Sequence, residues 1–563
     1  MLTVVRRSYQ MDAMLFCPLI RRSHAGVVIL VAVATGCSSG NHSASPVDAA
    51  DDVSHSDAGG SAGAGGNAGS DAGSAADTAA PGDAAGDNGG CVATSADDLP
   101  DDNFTDENCD GIDGNAAAAV FVAGSGSDSN PGTMQAPMLS INAAIARAFG
   151  GSKGAVYVSE GTYVGRVMLA NGVSIYGGYS ADHGWARATT YVATILATSD
   201  ADGHVSAVEG VNVVAPTTLD HLTIQTAATT VAGESNYAMY CNGCTGVTLK
   251  NSVLTAGAAG PGTTGASGTK GTDGANGSSG SVGSCDFANG TGGPPGMLMC
   301  GTVDVSGGKG GDGGPEGSNN GQMGDPGKNG NASGGTPGPG CSAGVTGGCV
   351  ASPGGNATTV AAVAAGTDGM GGSGGMLMAM FWMGVSGADG LMGPHGHGGG
   401  GGGGGGGQGG FSVNDGGGNG GGGGGSGGCG GAQGQGGGPG GGSFGLFLVN
   451  STGFVILGNT ITAGHGGDGG PGGMGGPGGA AGMGASGATA CTAEVGAGGN
   501  GASGSAGGRG GHGGGGAGGP SYAVYRSGTT GVLTGNTLIA GLAGGGGPSS
   551  GMAGVAGVSA MSN

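Results

Sequence analysis

Three separated segments of this chain repeat one pattern, which limits the chain to folds built from stacked copies of a small unit. They are residues 237–257 (YAMYCNGCTGVTLKNSVLTAG), 444–464 (FGLFLVNSTGFVILGNTITAG) and 522–541 (YAVYRSGTTGVLTGNTLIAG). Each cassette alternates apolar and polar residues over short runs and ends in Ala-Gly before a glycine-dominated stretch. Because no cassette could bury its apolar face alone, we predict that the three pack as neighbours, with the insertions between them leaving from one edge.

Glycine accounts for 154 of the 563 residues and aromatic residues for 4%, so only the non-glycine islands can form an apolar core. The insertions 258–443 and 465–521 carry glycine at every third position in places and Gly-Gly-X elsewhere. Collagen is disfavoured because the period breaks often and the chain has only 21 prolines. Two alternatives remain open: disorder, or extended helices of three residues per turn packed side by side. The second resembles glycine-rich antifreeze proteins and glycine-rich bacterial surface domains.

The formal net charge is -22, and residues 41–114 contain sixteen Asp or Glu residues without a Lys or Arg. Such a segment repels nucleic acid and attracts divalent cations, so we expect no nucleic-acid partner.

The N-terminus has the features of a secretion signal, with two arginines before the apolar run 25–34. The sequence Ala-Thr-Gly-Cys that ends at Cys37 resembles the lipobox of bacterial lipoproteins. That resemblance implies a signal peptide over 1–36, a lipid on Cys37, and an exported protein anchored in a membrane, at the outer membrane or cell surface. Ordinary cleavage near Ala34 with a free Cys37 is the alternative.

Ten further cysteines follow Cys37, and an even number in an exported, core-poor chain predicts disulfides. Cys241 and Cys244 have the spacing of a metal or redox motif, but no second such pair completes a zinc site. A local disulfide is therefore predicted for them.

An acidic segment after Cys91 matches the first half of a calcium loop, D-x-[DN]-x-[DN]-G. It also resembles acidic metal-binding repeats of exported bacterial proteins. Ala117 stands where the loop's final Glu is expected, so other carboxylates would complete the shell, brought near by a Cys91–Cys109 bridge. A solvated acidic linker is the alternative. The predicted calcium ligands are Asp106, Asn108, Asp110 and Asp113, with Asp97, Asp98, Asp101 and Asp102 as further candidates.

Residues 119–224 predict a helix capped by Ser140 and ended by Gly150, with an apolar face that includes Ile141 and Phe149. Strands are predicted at 155–158, 166–169, 173–176 and 219–224. The motifs FVAGSGSDSNPGT, AVYVSEGTY and NGVSIYGGY within 120–225 resemble the N-terminal part of exported bacterial right-handed parallel β-helix proteins, the pectin-lyase-like domains. The resemblance implies an all-β fold in which a cassette of about 20 residues makes one coil. Asn251, Asn459 and Asn536 then occupy nearly equivalent turns.

Catalytic patterns are weak. Arg166, Arg187 and Lys250 have no recognisable acidic partners, and His397 sits in a glycine run. The apolar run 376–383 (MLMAMFWM) predicts a buried rung or a cap over an edge of the coils, with an exposed docking patch as the alternative.

We therefore expect a non-catalytic surface lipoprotein with a structural, adhesive or glycan-binding role, whose partners are a membrane and glycans or cell-surface proteins. The alternative is a polysaccharide lyase or glycoside hydrolase of the same fold, which an acid cluster across neighbouring coils would favour. The predicted organisation is a signal peptide (1–36), an acidic tether (37–90), a calcium motif (91–115), a cap with β-helix coils (116–257), a glycine-rich insertion (258–443), a coil (444–464), a second insertion (465–521), a coil (522–541) and a glycine-rich tail (542–563).

Overall fold

The computed structural model describes residues 91–199, 202–342, 349–410 and 416–563. The predicted signal peptide, Cys37 and the tether lie outside these residues.

Three parallel sheets carry most of the β structure. Sheet A contains, in spatial order, β1 (Ala119–Val122), β2 (Ala155–Ser159), β5 (Ser174–Ser180), β9 (Thr217–Asp220), β12 (Val247–Lys250), β21 (Phe454–Leu457) and β24 (Gly531–Thr534), with β6 (Ala186–Arg187) antiparallel to β5. Sheet B contains β3 (Gly161–Val164), β7 (Ala193–Ala197), β10 (Leu222–Thr226), β13 (Val253–Thr255), β22 (Thr460–Thr462) and β25 (Thr537–Ile539). Sheet C contains β4 (Val167–Met168), β8 (His204–Val211), β11 (Ser235–Asn242), β20 (Ser443–Val449), β23 (Ser521–Ser527) and β26 (Ser559–Ser562).

The remaining described elements are short. They are the two-stranded pairs β14 (Met299–Cys300) with β15 (Val303–Asp304), β16 (Cys341–Ser342) with β19 (Gln408–Gly409), and β17 (Gly375–Met378) with β18 (Phe381–Gly384), the helix α1 (Ile141–Gly150), and the 3-10 helices Ala116–Ala118 and Ala181–His183. Among the described residues, no helix has the length and apolar character needed to cross a bilayer.

From β2 onward the chain visits sheets A, B and C in turn, so each passage adds one strand to each sheet, with β6 as an extra strand of sheet A. Alternate side chains point inward, and those of successive passages stack, as where Leu219 is in register with Leu249 and Leu249 with Ile456. These residues belong to one buried cluster lined by all three sheets. Helix α1 packs against this cluster beside β1 and β2, and Ser140 Oγ accepts the N–H of Ala143 as its cap.

The three cassettes are adjacent, which confirms the prediction from their repeat. Strand β20 of the second cassette lies between β11 of the first and β23 of the third, with Phe444 in register with Tyr237 and with Tyr522. Each glycine-rich insertion leaves the end of a sheet B strand and returns at the start of a sheet C strand, so both insertions belong to one edge. The tail predicted over 542–563 returns in the same way and ends in β26.

Several local predictions need correction. The strand predicted over 219–224 is two strands, β9 and β10, separated at His221. Phe149 is exposed instead of joining the buried face of α1. Asn459 does bond Asn536, whose Oδ1 lies 3.0 Å from Asn459 Nδ2, but in the first cassette Ser252 occupies the equivalent position and donates its N–H to Asn459 Oδ1.

The glycine-rich stretches form extended segments joined side by side by backbone hydrogen bonds, which is the ordered one of the two alternatives. In residues 418–429, successive backbone N–H groups donate to three neighbouring segments in turn. Gly418 donates to 305–314, Asn419 to 496–505 and Gly420 to 272–281, and the same order repeats every third residue. This rotation is that of a chain with three residues per turn. A Cβ on Gly422 would lie 2.0 Å from the carbonyl oxygen of Ala485, so only glycine fits there.

All ten cysteines among the described residues are paired, as predicted. The pairs are Cys91–Cys109, Cys241–Cys244, Cys285–Cys491, Cys300–Cys429 and Cys341–Cys349.

Candidate functional site

The candidate site lies at the corner between sheets A and B. In sheet A the last residues of β9, β12, β21 and β24 are in register with one another. The residues that directly follow them are therefore equivalent, and these are His221, Asn251, Gly458 and Gly535. All four have positive φ, at 51°, 47°, 67° and 67° in that order. Glycine adopts this conformation without strain, whereas a histidine there is uncommon. Two neighbouring coils thus carry a side chain where the next two carry none.

A groove of about 410 Å³ runs along this corner beside His221 and Asn251. The two residues belong to successive coils, and Gly458 extends the lining into a third. Most of the remaining lining is small, hydroxyl-bearing or aromatic, and it includes Asp102, Tyr191, Thr189, Thr223 and Thr460. The ring of Tyr191 is stacked on His183 at 5.3 Å, which holds its orientation.

A charged cluster lies behind His221 and Asn251 and is centred on Asp220, which is fully buried and does not itself line the groove. One carboxylate oxygen lies 2.8 Å from His221 Nδ1 and 3.2 Å from Asn251 Nδ2. The other lies 2.7 Å from Arg187 Nη2 and 3.4 Å from Lys250 Nζ. Burial by itself would raise the pKa of Asp220, but the His221 hydrogen bond and the Arg187 charge outweigh it, so the pKa is lowered. Asp220 is therefore ionised at neutral pH.

Asp102 joins this cluster from the acidic N-terminal segment and also lines the groove. Its Oδ1 lies 3.1 Å from Lys250 Nζ and 2.9 Å from Asn251 Nδ2. Burial opposes the charge of Lys250, yet Asp220 and Asp102 raise its pKa, so Lys250 is an ammonium and not a general base at neutral pH. The lysine and the asparagine therefore tie Asp102 to the coils.

The three cations that lacked recognisable partners in the sequence are all paired. Arg187 contacts Asp113 at 2.8 Å as well as Asp220, and Lys250 contacts Asp102. Arg166 Nη1 lies 2.8 Å from Asp202 and 3.4 Å from Glu209. The partners were not recognisable in the sequence because each is distant in sequence from its cation.

The structure separates the predicted calcium ligands, with Asp106, Asn108 and Asp110 in one loop and Asp113 outside it. Asp106 accepts the N–H groups of Asp110 and Gly111 at 3.2 and 2.9 Å, and Asn108 Oδ1 accepts that of Asp110 at 2.8 Å. These two side chains fold the loop on itself, and Asp110 Oδ2 accepts the N–H of Ala116 at 2.9 Å. Asp113 is buried elsewhere, with its oxygens on the Asp101 N–H and on Arg187.

Asp98, a further candidate from the sequence, is 3% exposed beside this loop. Its Oδ2 accepts the N–H of Glu107 at 3.1 Å, while its buried Oδ1 has no hydrogen-bond partner among the described residues. A buried carboxylate oxygen without a partner is costly, and a cation would relieve that cost.

Sequence reasoning missed His221 and Asn251 as site residues. The available signal was their alignment with Gly458 and Gly535, which becomes visible only when the cassette pattern is extended back by one coil to include 217–226. No protein-family model, curated protein or solved structure matches this chain. Its function is therefore argued from the geometry of the site.

Proposed function

We propose that this protein is an exported surface module whose groove at the A–B corner binds a glycan without cleaving it. The observation that carries the proposal is the pair His221 and Asn251, which have positive φ where the following coils use glycine. Strained backbone persists where the side chain has a use, and both of these side chains line the groove.

The architecture supports the ligand class by analogy. Three parallel sheets visited in rotation fit a right-handed parallel β-helix of the pectin-lyase-like type, which the motifs in 120–225 resemble. Strands of neighbouring coils are about 4.8 Å apart, so a groove that crosses three coils presents repeated polar positions to an extended chain. Asp102 and the side-chain carbonyl of Asn251 offer acceptors for hydroxyl groups, and Tyr191 offers an aromatic ring.

The non-catalytic part of the proposal follows from how Asp220 is engaged. Its two oxygens are occupied by His221, Asn251, Arg187 and Lys250, so no lone carboxylate is poised to take a proton. Asp220 and Asp102 keep Lys250 protonated by raising its pKa. The site therefore has charge and shape for recognition, and neither Asp220 nor Lys250 is free to act as a base.

A glycan array with the purified protein tests the proposal. The double variant His221→Gly/Asn251→Gly restores the residue that equivalent corners use, so it removes two side chains at positions whose backbone suits glycine. We expect it to lose the glycan bound by the wild type. Asn450→Gly is the matched control, since Asn450 has φ 50° at the end of β20 and does not line the groove. Equal binding by the double variant and the control would contradict the proposal.

One observation favours the enzyme alternative: oxygens of Asp102 and Asp220 and a nitrogen of His221 lie within 4.8 Å of one another. Two close carboxylates are the minimum for glycoside hydrolysis. Incubation of the protein with the glycan it binds, followed by product analysis, separates the two functions. Cleavage that disappears in Asp102→Asn would establish the enzyme, whereas intact glycan supports binding alone.

Calcium at the acidic loop is a second part of the proposal. It is supported by Asp106, Asn108 and Asp110, which follow the D-x-N-x-D-G spacing, and by the unpartnered buried oxygen of Asp98. Calcium that binds only the folded protein raises the unfolding temperature. We expect that rise to shrink in Asp106→Ala and in Asp98→Asn, and to persist in Asp182→Asn, which changes a carboxylate at a distant exposed turn. An equal rise in all four proteins would leave the loop a charged linker.

Attachment through Cys37 completes the proposal and rests on the lipobox resemblance. Mass spectrometry of the membrane fraction should find diacylglycerol on an N-terminal Cys37, and Cys37→Ala should release the protein. A soluble wild-type protein that begins at another residue would contradict it.

A further inference from the structure

The hairpin β17–β18 presents three methionines on its outer face. Met376 and Met383 are directly paired across the two strands, and Met378 lies two residues further along the same strand as Met376. Their side chains are 55%, 49% and 52% exposed. Residues two apart on one strand and residues paired across strands share a face, so the three thioethers project together.

The hairpin is anchored by Leu377 and Trp382, which lie on the face opposite the methionines, and by Phe381, which is paired with Met378 next to the tip. Leu377, Phe381 and Trp382 pack on an aromatic cluster of sheet C that contains Tyr240, Phe444 and Phe447. The ring of Phe381 stacks on that of Tyr240 at 4.4 Å. Trp382 donates its backbone N–H to Tyr237 Oη at 3.1 Å. The run is therefore a cap over the coils, as its sequence predicted, and the methionines are carried on a fixed base.

Packing does not explain the choice of methionine on the outer face. Four of the eight residues 376–383 are methionine, against 20 in the whole chain, and a leucine would cover the cap equally well. At the tip, Ala379 and Met380 both have positive φ in a chain rich in glycine. That strained turn places Met380 Sδ 4.0 Å from Asn450 Nδ2, so a fourth sulfur is held near the end of the hairpin.

We propose that Met376, Met378 and Met383 form a site for a soft monovalent metal ion, Cu(I) in the first place. Thioether sulfur is a neutral, polarisable donor that selects Cu(I) over hard cations. Paired residues bring their Cβ atoms to about 5 Å, and the three rotatable bonds of methionine allow the sulfurs to converge. Residues 369–388 carry no charged side chain, so nothing in the segment favours a hard dication.

Titration of the full protein with Ag(I) tests the site without a reductant, which would endanger the five disulfides. Ag(I) has the charge and softness of Cu(I). We expect one ion per chain more than in the variant Met376→Leu/Met378→Leu/Met383→Leu, which keeps the apolar volume. The control Met474→Leu/Met483→Leu changes two exposed methionines of the glycine-rich segments and should bind like the wild type.

Methyl NMR of ¹³C-methionine protein gives an independent readout. The ε-methyl signals of Met376, Met378 and Met383 should move together as Ag(I) is added, while those of Met474 and Met483 stay in place. Equal silver binding by the triple variant and the wild type, or shifts spread evenly over all exposed methionines, would overturn the proposal. Unchanged circular dichroism of the triple variant assigns any loss of binding to the sulfurs.

Discussion

At the residue scale, Arg187 shows how one side chain joins parts of the chain that are far apart in sequence. Its Nη1 donates to Asp113 at 2.8 Å and to the carbonyl of Asp101 at 2.9 Å, its Nη2 to Asp220 at 2.7 Å, and its Nε to the carbonyl of Gly177 at 3.0 Å. The guanidinium has no exposed surface. The acidic N-terminal segment is thus fixed to the coils by a planar, multiply bonded group.

Replacing Arg187 with lysine should strongly destabilise the protein. A single ammonium cannot reproduce the forked contacts, so at least one buried carboxylate would lose its partner, at a cost of about 3–5 kcal/mol in the free energy of unfolding. Urea denaturation measures this directly. Arg147→Lys is the control, because Arg147 is exposed on α1, and it should change the midpoint little. A midpoint for Arg187→Lys equal to that of the control would refute the clamp.

Asp220 should make the protein less stable in acid. Its folded pKa lies below the ordinary value of 3.8, so the unfolded chain takes up the proton more readily. Its contribution is therefore present above about pH 5 and is lost as the pH falls through 3.8 and the folded pKa. Urea midpoints between pH 6 and 3 should fall less in Asp220→Asn than in the wild type. At pH 6 the Asp220→Asn variant should have a lower urea midpoint than the wild type, because Arg187 then pairs with Asp113 alone.

Asp113 provides the control of opposite sign. Burial raises its pKa in spite of Arg187, so the folded protein takes up this proton more readily than the unfolded chain. Its protonation therefore adds stability as the pH falls. Asp113→Asn should then lose stability more steeply than the wild type over the same range, and parallel curves for the two variants would contradict the assignment of both shifts.

The residue-scale misses have one physical cause. A positive φ is visible in sequence when glycine occupies the position, as at Gly458 and Gly535, and hidden when His221 or Asn251 does. The strand predicted over 219–224 ran through the corner because no Gly or Pro marks a turn between Leu219 and Ile224. Ion pairs were missed for a similar reason, since Arg187 and Asp220 meet only after folding brings successive coils together.

At the scale of elements, the sequence predicted most of the coils but left the glycine segments open. Periodic apolar residues and turn residues located β2, β5 and α1 to within a few residues, because in each element the local residue preferences agree with the burial pattern. A glycine run carries no such local signal. Its order comes from neighbours that accept each N–H in rotation, as Gly418 to Cys429 show, and those neighbours lie about 80 to 150 residues away.

Adding one methyl group to the centre of the glycine segments should be severely destabilising. In Gly422→Ala the new Cβ would lie 2.0 Å from the Ala485 carbonyl oxygen, and the backbone would have to move to relieve this overlap. We expect a loss of about 3 kcal/mol or more in the free energy of unfolding. Gly154→Ala is the matched control, since its Cβ meets open space, and it should stabilise by about 0.4–1 kcal/mol. Denaturation of both variants decides the matter, and equal midpoints would mean that the segments are not packed as described.

At the scale of the whole molecule, the coils and the glycine segments are held by different forces. The coils bury a continuous apolar cluster lined by three sheets. The glycine segments contribute few side chains and depend on backbone hydrogen bonds, each of which adds only about 1 kcal/mol net. Two disulfides join distant parts of these segments, Cys285 to Cys491 and Cys300 to Cys429. Cross-links are therefore expected to matter more for the glycine segments than for the coils.

The variant Cys285→Ser/Cys491→Ser should loosen the glycine segments while the coils persist. The bridge closes a loop over 206 residues, so its removal returns about 5 kcal/mol of conformational freedom to the unfolded chain. The control Cys341→Ser/Cys349→Ser opens a separation of 8 residues and should cost about 2.5 kcal/mol. Amide exchange reads the two regions separately: exchange should rise at residues 418–429 and stay slow in β11 and β20, because their apolar core does not depend on the bridge. Uniform acceleration across strands and glycine segments would show instead that the two unfold as one unit.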